Sequence, residues 1–317
     1  MARKVILDVD PGIDDAVALA LALFDPELEV VAVTATGGSV PPGMATTNVQ
    51  KIIEQLDPPR WPRIGAAPID NPLPVDALHL NGPDGLGQSD FPVAGLANLH
   101  PAEKVLTDEL RAAPEMVTII ALGPLTNLAH VLHRESHMAA QVGRLIVGGG
   151  CAAVPGNVTP CAEFNIYSDP LSARQVIRSP MTKTMVPLDV TQQLLMTFDL
   201  LDQLPSENTK GGAFLRKILP YAFRAYRQFL GQEGIYLHAP VALAAATHPE
   251  LFEAEEEVAC DVETEGELTS GVTVFDRRNV RQWRPNTDLI VSMDVAAVRD
   301  VILRGLARVG KSSSQSP

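Results

Sequence analysis

The run VILDVDPGIDDAVALALALF, residues 5–24, leaves little freedom in how the chain can fold. Its first segment is β-branched and apolar without alternation, the pattern of a strand buried on both faces of a parallel sheet. It stops at Pro11-Gly12, and the segment VALALALF that follows is apolar all round, as an enclosed helix must be. A buried strand feeding a buried helix is the first half of a βαβ unit.

The same alternation recurs downstream. Residues 29–34 (EVVAVT), 116–122 (MVTIIAL), 144–150 (RLIVGGG) and 181–186 (MTKTMV) read as strands, and residues 16–24, 45–56, 124–133 and 170–177 as helices. This predicts an α/β fold: an open, mostly parallel sheet flanked by helices, with right-handed crossovers. In the last third, residues 214–231, 239–246 and 295–307 read as helices. Residues 258–262 and 271–275 read as strands of a small C-terminal β-rich addition. There is no internal repeat and no dividing linker, so residues 1–309 form one domain, with 310–317 (GKSSSQSP) as a disordered tail. Residues 72–91 are glycine-rich and carry no periodic pattern, which marks an active-site loop in such a fold.

A net charge of -13 over 317 residues argues against nucleic acid and anionic membranes as partners. The apolar run after Arg3-Lys4 is too short for a signal peptide, and no stretch approaches the roughly 18 apolar residues of a membrane span. Cys151, Cys161 and Cys260 are odd in number and lack CxxC spacing, which predicts reduced thiols and a cytoplasmic location.

Four aspartates, Asp8, Asp10, Asp14 and Asp15, cluster where the first strand meets its helix. One or two could serve as helix caps. Four carboxylates in the crevice beyond a strand end repel one another unless protons or a cation compensate. Oxygen-only donors favour Ca²⁺ or Mg²⁺ over zinc. Aspartate-nucleophile phosphatases also open with DxD at a strand end, but Pro11-Gly12 stands where their small hydroxyl residue should follow, and their later acidic pair is missing.

DVDPGIDDAVAL resembles the DTDPGIDDAxAL signature of the inosine–uridine-preferring nucleoside hydrolases. GPLTNLA (residues 123–129), PGNVTPCAEFNIYSDP (155–170), PLDVT (187–191), LHAP (237–240), and FDRR with a later PN (275–278, 285–286) follow in that family's order, so the resemblance spans residues 4–305. It implies a Rossmann-like nucleoside hydrolase fold and cleavage of a ribonucleoside to ribose and free base, with a Ca²⁺ ion holding the attacking water. By the same resemblance Asp10 is general base and metal ligand, Asp15 a second ligand, and Thr126 a ligand through its carbonyl. Asp14, Asn157, Glu163 and Asn165 would hold the ribose, and His238 would help protonate the departing base. Read without the resemblance, Asn157 after Gly156 is a turn residue. Glu163 and Asn165, alternating around Phe164, fit one side of an extended segment, and His238 fits a structural role. Relatives are commonly homo-oligomers, dimers or tetramers.

Four positions depart from the pattern. Ala239 stands where HDP supplies an aspartate ligand, Ser39 where an asparagine is usual, Gly148 where a methionine lines the sugar pocket, and Asn81 where a histidine is common. Calcium tolerates water among its six to eight ligands, so losing one carboxylate should weaken the site rather than abolish it. Glu233 is a conceivable substitute ligand. Two readings follow: a working hydrolase with a retuned site, or a nucleoside- or ribose-binding relative without turnover. Tyr221, Phe223, Tyr226, Phe229 and Tyr236 are candidates to stack on a base, although at helical spacing such a stripe also fits a core.

Overall fold

In the computed structural model, which describes residues 2–69, 73–95, 99–280 and 282–312, the strands are β1 (Arg3–Val9), β2 (Leu28–Ala35), β3 (Arg63–Ala66), β4 (His100–Pro101), β5 (Val117–Ala121), β6 (Arg144–Gly148), β7 (Lys183–Val186), β8 (Leu195–Thr197), β9 (Gly234–Tyr236), β10 (Phe252–Val258), β11 (Cys260–Val262), β12 (Thr273–Phe275) and β13 (Thr287–Met293). The helices are α1 (Ile13–Leu23), α2 (Pro42–Leu56), α3 (Leu78–Asn81), α4 (Ala102–Ala112), α5 (Thr126–Arg134), α6 (Phe164–Ser168), α7 (Pro170–Ile177), α8 (Leu188–Thr191), α9 (Lys210–Ala225), α10 (His238–Thr247) and α11 (Val295–Ser312).

From Val5 to Val9, β1 is apolar except at Asp8, because both of its sides are covered there. Val5, Leu7 and Val9 face a core built with α1, α2, α9, α10 and α11, while Ile6 faces a second core built with α4, α5 and α7. α1 is enclosed by α2, α9, α10 and α11, which is why its sequence is apolar all round.

The main sheet runs β10-β13-β7-β6-β5-β1-β2-β3-β4. Every neighbouring pair is parallel except β10–β13, as the alternation predicted. From β1 the chain builds outward through β2, β3 and β4, then crosses back and builds the other way through β5, β6 and β7. The reversal falls between β1 and β5, and open α/β sheets bind ligands beyond the carboxyl ends at such a point.

The C-terminal third differs in detail from the sequence expectation. The single strand expected over residues 258–262 is two, since β10 ends at Val258 and β11 starts at Cys260 with Ala259 between them. β10 and β13 extend the main sheet, whereas β11–β12 form a separate antiparallel pair, as do β8–β9. The helix expected to Gly231 leaves α-geometry at Tyr226, makes a π turn over Tyr226–Leu230 and ends on Gly231 in the left-handed region. α11 continues past residue 307 to Ser312, and residues 313–317 of the expected tail lie outside the described residues, as does Pro72 of the expected loop. The rest of that loop is built: Asp84 accepts the N–H groups of Leu86, Gln88 and Ser89, and α3 packs on α9. Cys151 and Cys260 are buried and Cys161 exposed, all as free thiols. Among the described residues no helix is long and apolar enough to cross a membrane.

Candidate active site

Asp10 lies one residue beyond β1 and is 1% exposed. Its Oδ2 accepts the Ser39 N–H at 2.5 Å from the loop after β2. A Cβ on Gly38 would fall 2.1 Å from Asp10 Oδ2, and one on Gly123, after β5, 2.6 Å from Oδ1. Three strand ends therefore close on one carboxylate, and glycine is what lets two of them approach it.

Asp14 and Asp15 occupy the first turn of α1. Asp15 Oδ2 accepts the Gly12 N–H at 3.4 Å, a weak cap, and Asp14 Oδ2 accepts the Ala239 N–H of α10 at 2.9 Å. The Oδ1 atom of each is buried and accepts nothing. Helix capping thus uses one oxygen of the cluster and leaves two without a partner. Burial raises the pKa of Asp10, Asp14 and Asp15, with neighbouring carboxylates adding to it, and Asp14 is pushed up to about 7. Unsatisfied hard oxygens under mutual repulsion suit a divalent cation such as Ca²⁺. Among the described residues no three His, Cys, Asp or Glu side chains form a ready-made ligand group, so such an ion would draw further oxygens from carbonyls, hydroxyls or water.

Asp8 does not belong to this cluster, and the expectation of four converging carboxylates is corrected to three. Along β1 it follows the side of Ile6, and its Oδ1 accepts Thr34 Oγ1 at 2.6 Å and Asn127 Nδ2 at 2.7 Å. It ties β1 to β2 and α5. Burial pushes its pKa up to about 6.

These shifts predict a pH-dependent stability in the metal-stripped protein. The folded pKa of Asp8 and Asp14 lies above the ordinary 3.8, so the folded state holds these protons more tightly than the unfolded chain. The resulting stability is fully present below 3.8 and is lost as pH rises through about 6 to about 7. Thermal unfolding in chelator should fall by about 2–5 °C between pH 5 and pH 8. Added calcium should remove most of that slope, and a slope of opposite sign would count against the charge cluster.

The opposite wall comes from the segment after β6. Glu163 has extended backbone, caps α6 by accepting the Ile166 N–H at 3.2 Å, and accepts the Gly150 N–H at 3.0 Å. Asn165 Nδ2 donates to the carbonyls of Leu122 and Gly148 at 2.7 and 2.9 Å. The expected extended segment is instead a helix start, because Glu163 supplies the cap that turns the chain; both side chains still reach the cavity. Asn157 Oδ1 accepts the Phe164 N–H at 2.8 Å. Thr126 opens α5, and its hydroxyl donates to Asp169 Oδ2 at 2.7 Å; it is buried and is not among the residues that line the cavity.

Asp10, Asp14, Asp15, Asn157, Glu163, Asn165 and His238 all line one cavity of about 560 Å³, a size suited to a small metabolite. His238 opens α10, with Nδ1 2.7 Å from Thr191 Oγ1 of α8; burial pushes its pKa down to about 4. The ring is therefore neutral across the physiological range. Of the five candidate aromatics, Tyr226 and Tyr236 line the cavity. Phe223 is core, stacked on Phe198, and Phe229 stands exposed, edge-on to His79 at 5.6 Å. Gln232, which sequence reasoning passed over, also lines the cavity, and its Oε1 is buried without a partner.

The departures acquire local reasons. Ser39 serves through its backbone, and Asn81 Oδ1 accepts the Ile13 N–H at 2.8 Å, docking the α3 segment onto the start of α1. A Cβ at Gly148 would meet Ala242 at 3.1 Å. Glu233 is not a substitute ligand: it points to solvent and pairs with Arg227 at 3.7 Å. Asp189 and Thr191, both in PLDVT, were missed as functional positions because what they bind lies far away in sequence.

Comparison with known proteins agrees with this geometry. The family model for inosine-uridine preferring nucleoside hydrolases matches residues 5–300. The chain is 37% identical over 308 residues to the non-specific ribonucleoside hydrolase RihC of Escherichia coli, spanning 97% of this chain and 99% of that protein. It is 35% identical over 312 residues to the pyrimidine-specific ribonucleoside hydrolase RihA of Klebsiella pneumoniae, again spanning 97% and 99%. Among solved structures, the plant nucleoside hydrolase PpNRh1 matches with a TM-score of 0.90 at 31% identity, over 97% of this chain and 99% of that one.

Proposed function

The chain belongs to the inosine-uridine preferring nucleoside hydrolase family, and we propose that its cavity hydrolyses the N-glycosidic bond of ribonucleosides to ribose and free base, with Asp10 as general base. The observation that carries this is the convergence of three carboxylates, two with unpartnered oxygens, facing Asn157, Glu163 and Asn165 across a cavity that also holds His238. A calcium ion held by Asp10, Asp15 and the Thr126 carbonyl would polarise the attacking water and chelate the ribose 2′- and 3′-hydroxyls.

The chain's own groups then divide the work. Asp10, fixed by Ser39, takes the proton from water as its oxygen bonds to C1′. The C1′–N bond breaks and its electron pair leaves with the base. Asp14 accepts from a ribose hydroxyl through its free Oδ1. Asn157 and Asn165 orient the sugar, and the Glu163 carboxylate opposes the positive charge that develops on the ring. His238 acts through a neutral N–H: with Thr191 Oγ1 at Nδ1, Nε2 is left to donate toward the departing base. Replacing His238 by Ala should lower kcat about tenfold while leaving the shape of the pH–rate profile between pH 5 and 8 unchanged. Loss of a limb from that profile would show that His238 titrates there.

The deciding experiment is a reducing-sugar assay with inosine, uridine and adenosine, on chelated protein with and without calcium. Calcium-dependent ribose release is expected. Nucleoside binding without release would favour the second reading, a relative without turnover, which Ala239 in the metal-ligand position supports. Similar identity to a non-specific and to a pyrimidine-specific hydrolase leaves base preference to Gln232, Tyr226 and Tyr236. The free thiols support a cytoplasmic location, and a homo-oligomer is the assembly to test by light scattering.

A further inference from the structure

α8 is a single turn directly after β7, yet it holds both ends of the cavity. Toward the sugar side, Asp189 Oδ2 accepts the Ala152 N–H at 2.7 Å, and Oδ1 accepts those of Ala153 at 2.7 Å and Val154 at 3.3 Å. Three successive amides on one carboxylate form a charge-assisted anchor. They belong to the segment 151–162, which has no helix or strand of its own and carries Asn157 into the cavity. Its root is fastened twice more, since Leu188 N–H donates to Gly150 O at 2.9 Å and Thr273 Oγ1 bonds Cys151 N and O at 3.1 and 2.6 Å. Toward the base side, two residues after Asp189, Thr191 holds the His238 ring.

We propose that Asp189 is a positioning residue for substrate: it fixes the 151–162 segment so that Asn157 meets the sugar, and α8 thereby sets the sugar grip and the leaving-group histidine at one fixed separation. The inference rests on the hydrolase reading for its substrate and on the hydrogen bonds above for its geometry. A carboxylate serving three amides cannot be replaced by a methyl group without freeing the segment, and misplacement by about 1 Å is enough to weaken catalysis strongly. Asp189→Asn keeps one acceptor oxygen, enough for Ala153 and Val154 but not for Ala152.

The test combines steady-state kinetics on inosine and uridine with hydrogen exchange of the 151–162 amides in Asp189→Ala, Asp189→Asn, Asn157→Ala and the Asn157→Ala/Asp189→Ala double variant. Asp189→Ala should raise KM about tenfold or more and speed exchange across the segment, with Asp189→Asn intermediate in both. In the double variant KM should be no higher than in Asn157→Ala alone, because Asp189 acts through Asn157. A lower Tm with KM within twofold of wild type, additive effects in the double variant, or unchanged exchange in Asp189→Asn would each overturn the proposal. If Asp189→Ala does not fold, Asp189→Asn carries the same comparison. A wild type that releases no ribose would refute the hydrolase reading instead, and the exchange data would still decide whether Asp189 is the anchor.

Discussion

Asp10→Asn should lower kcat by about 10³-fold while the protein stays folded, measured by ribose release beside a thermal melt. The substitution is isosteric, and the amide oxygen can still accept the Ser39 N–H. What disappears is the ability to take a proton from water. Stability should hold or rise in chelator, since burial and the Asp15 charge already disfavour an ionised Asp10. Larger side chains cannot serve as controls, because Gly38 and Gly123 leave no room around the carboxylate. A rate within tenfold of wild type would remove Asp10 as the base and shift attention to Asp14 or Asp15, the other buried acids of the cluster.

How far the sequence could be read depended on whether the information was local. The run from Val5 to Phe24 shows its burial directly, because a strand covered on both faces and a helix covered all round need apolar residues everywhere. The aspartate cluster was legible as a group but not as individuals. Period-two alternation puts Asp8 on the Ile6 side of β1, whereas Asp10 lies past the strand end and is free of that constraint. Counting carboxylates by proximity in sequence merged the two. Glu163 and Asn165 were recognised as site residues while their local structure was misjudged, because a cap two residues ahead looks like strand alternation until the helix is seen. Asn81 stood out only as a departure from the family pattern, and Asp189 and Thr191 only as part of PLDVT; their roles stayed hidden because each acts on a partner 35 to 68 positions away. Glu233 illustrates the reverse: near His238 in sequence, it is turned to solvent by its place just before β9.

Ala239→Asp should tighten calcium binding about a hundredfold, because affinity in oxygen sites follows the number of ligand charges. Ala239 is 6% exposed, lines the cavity and offers the cluster only its N–H, which goes to Asp14 Oδ2 at 2.9 Å. That bond explains how the cluster persists without the fourth carboxylate: the first turn of α10 supplies an amide, and its positive end favours Asp14. A carboxylate added at this position would face three others that burial already holds against ionisation. The chelated variant should therefore melt below wild type and the calcium-loaded variant above it, so the gap between the two melts widens. Calorimetric titration of stripped protein gives the affinities directly. An unchanged calcium affinity, with the gap between melts also unchanged, would mean that residue 239 does not face the ion; absence of binding in both proteins at millimolar calcium would remove the cation from the mechanism, and with it the case for Asp15 as a ligand rather than a cap.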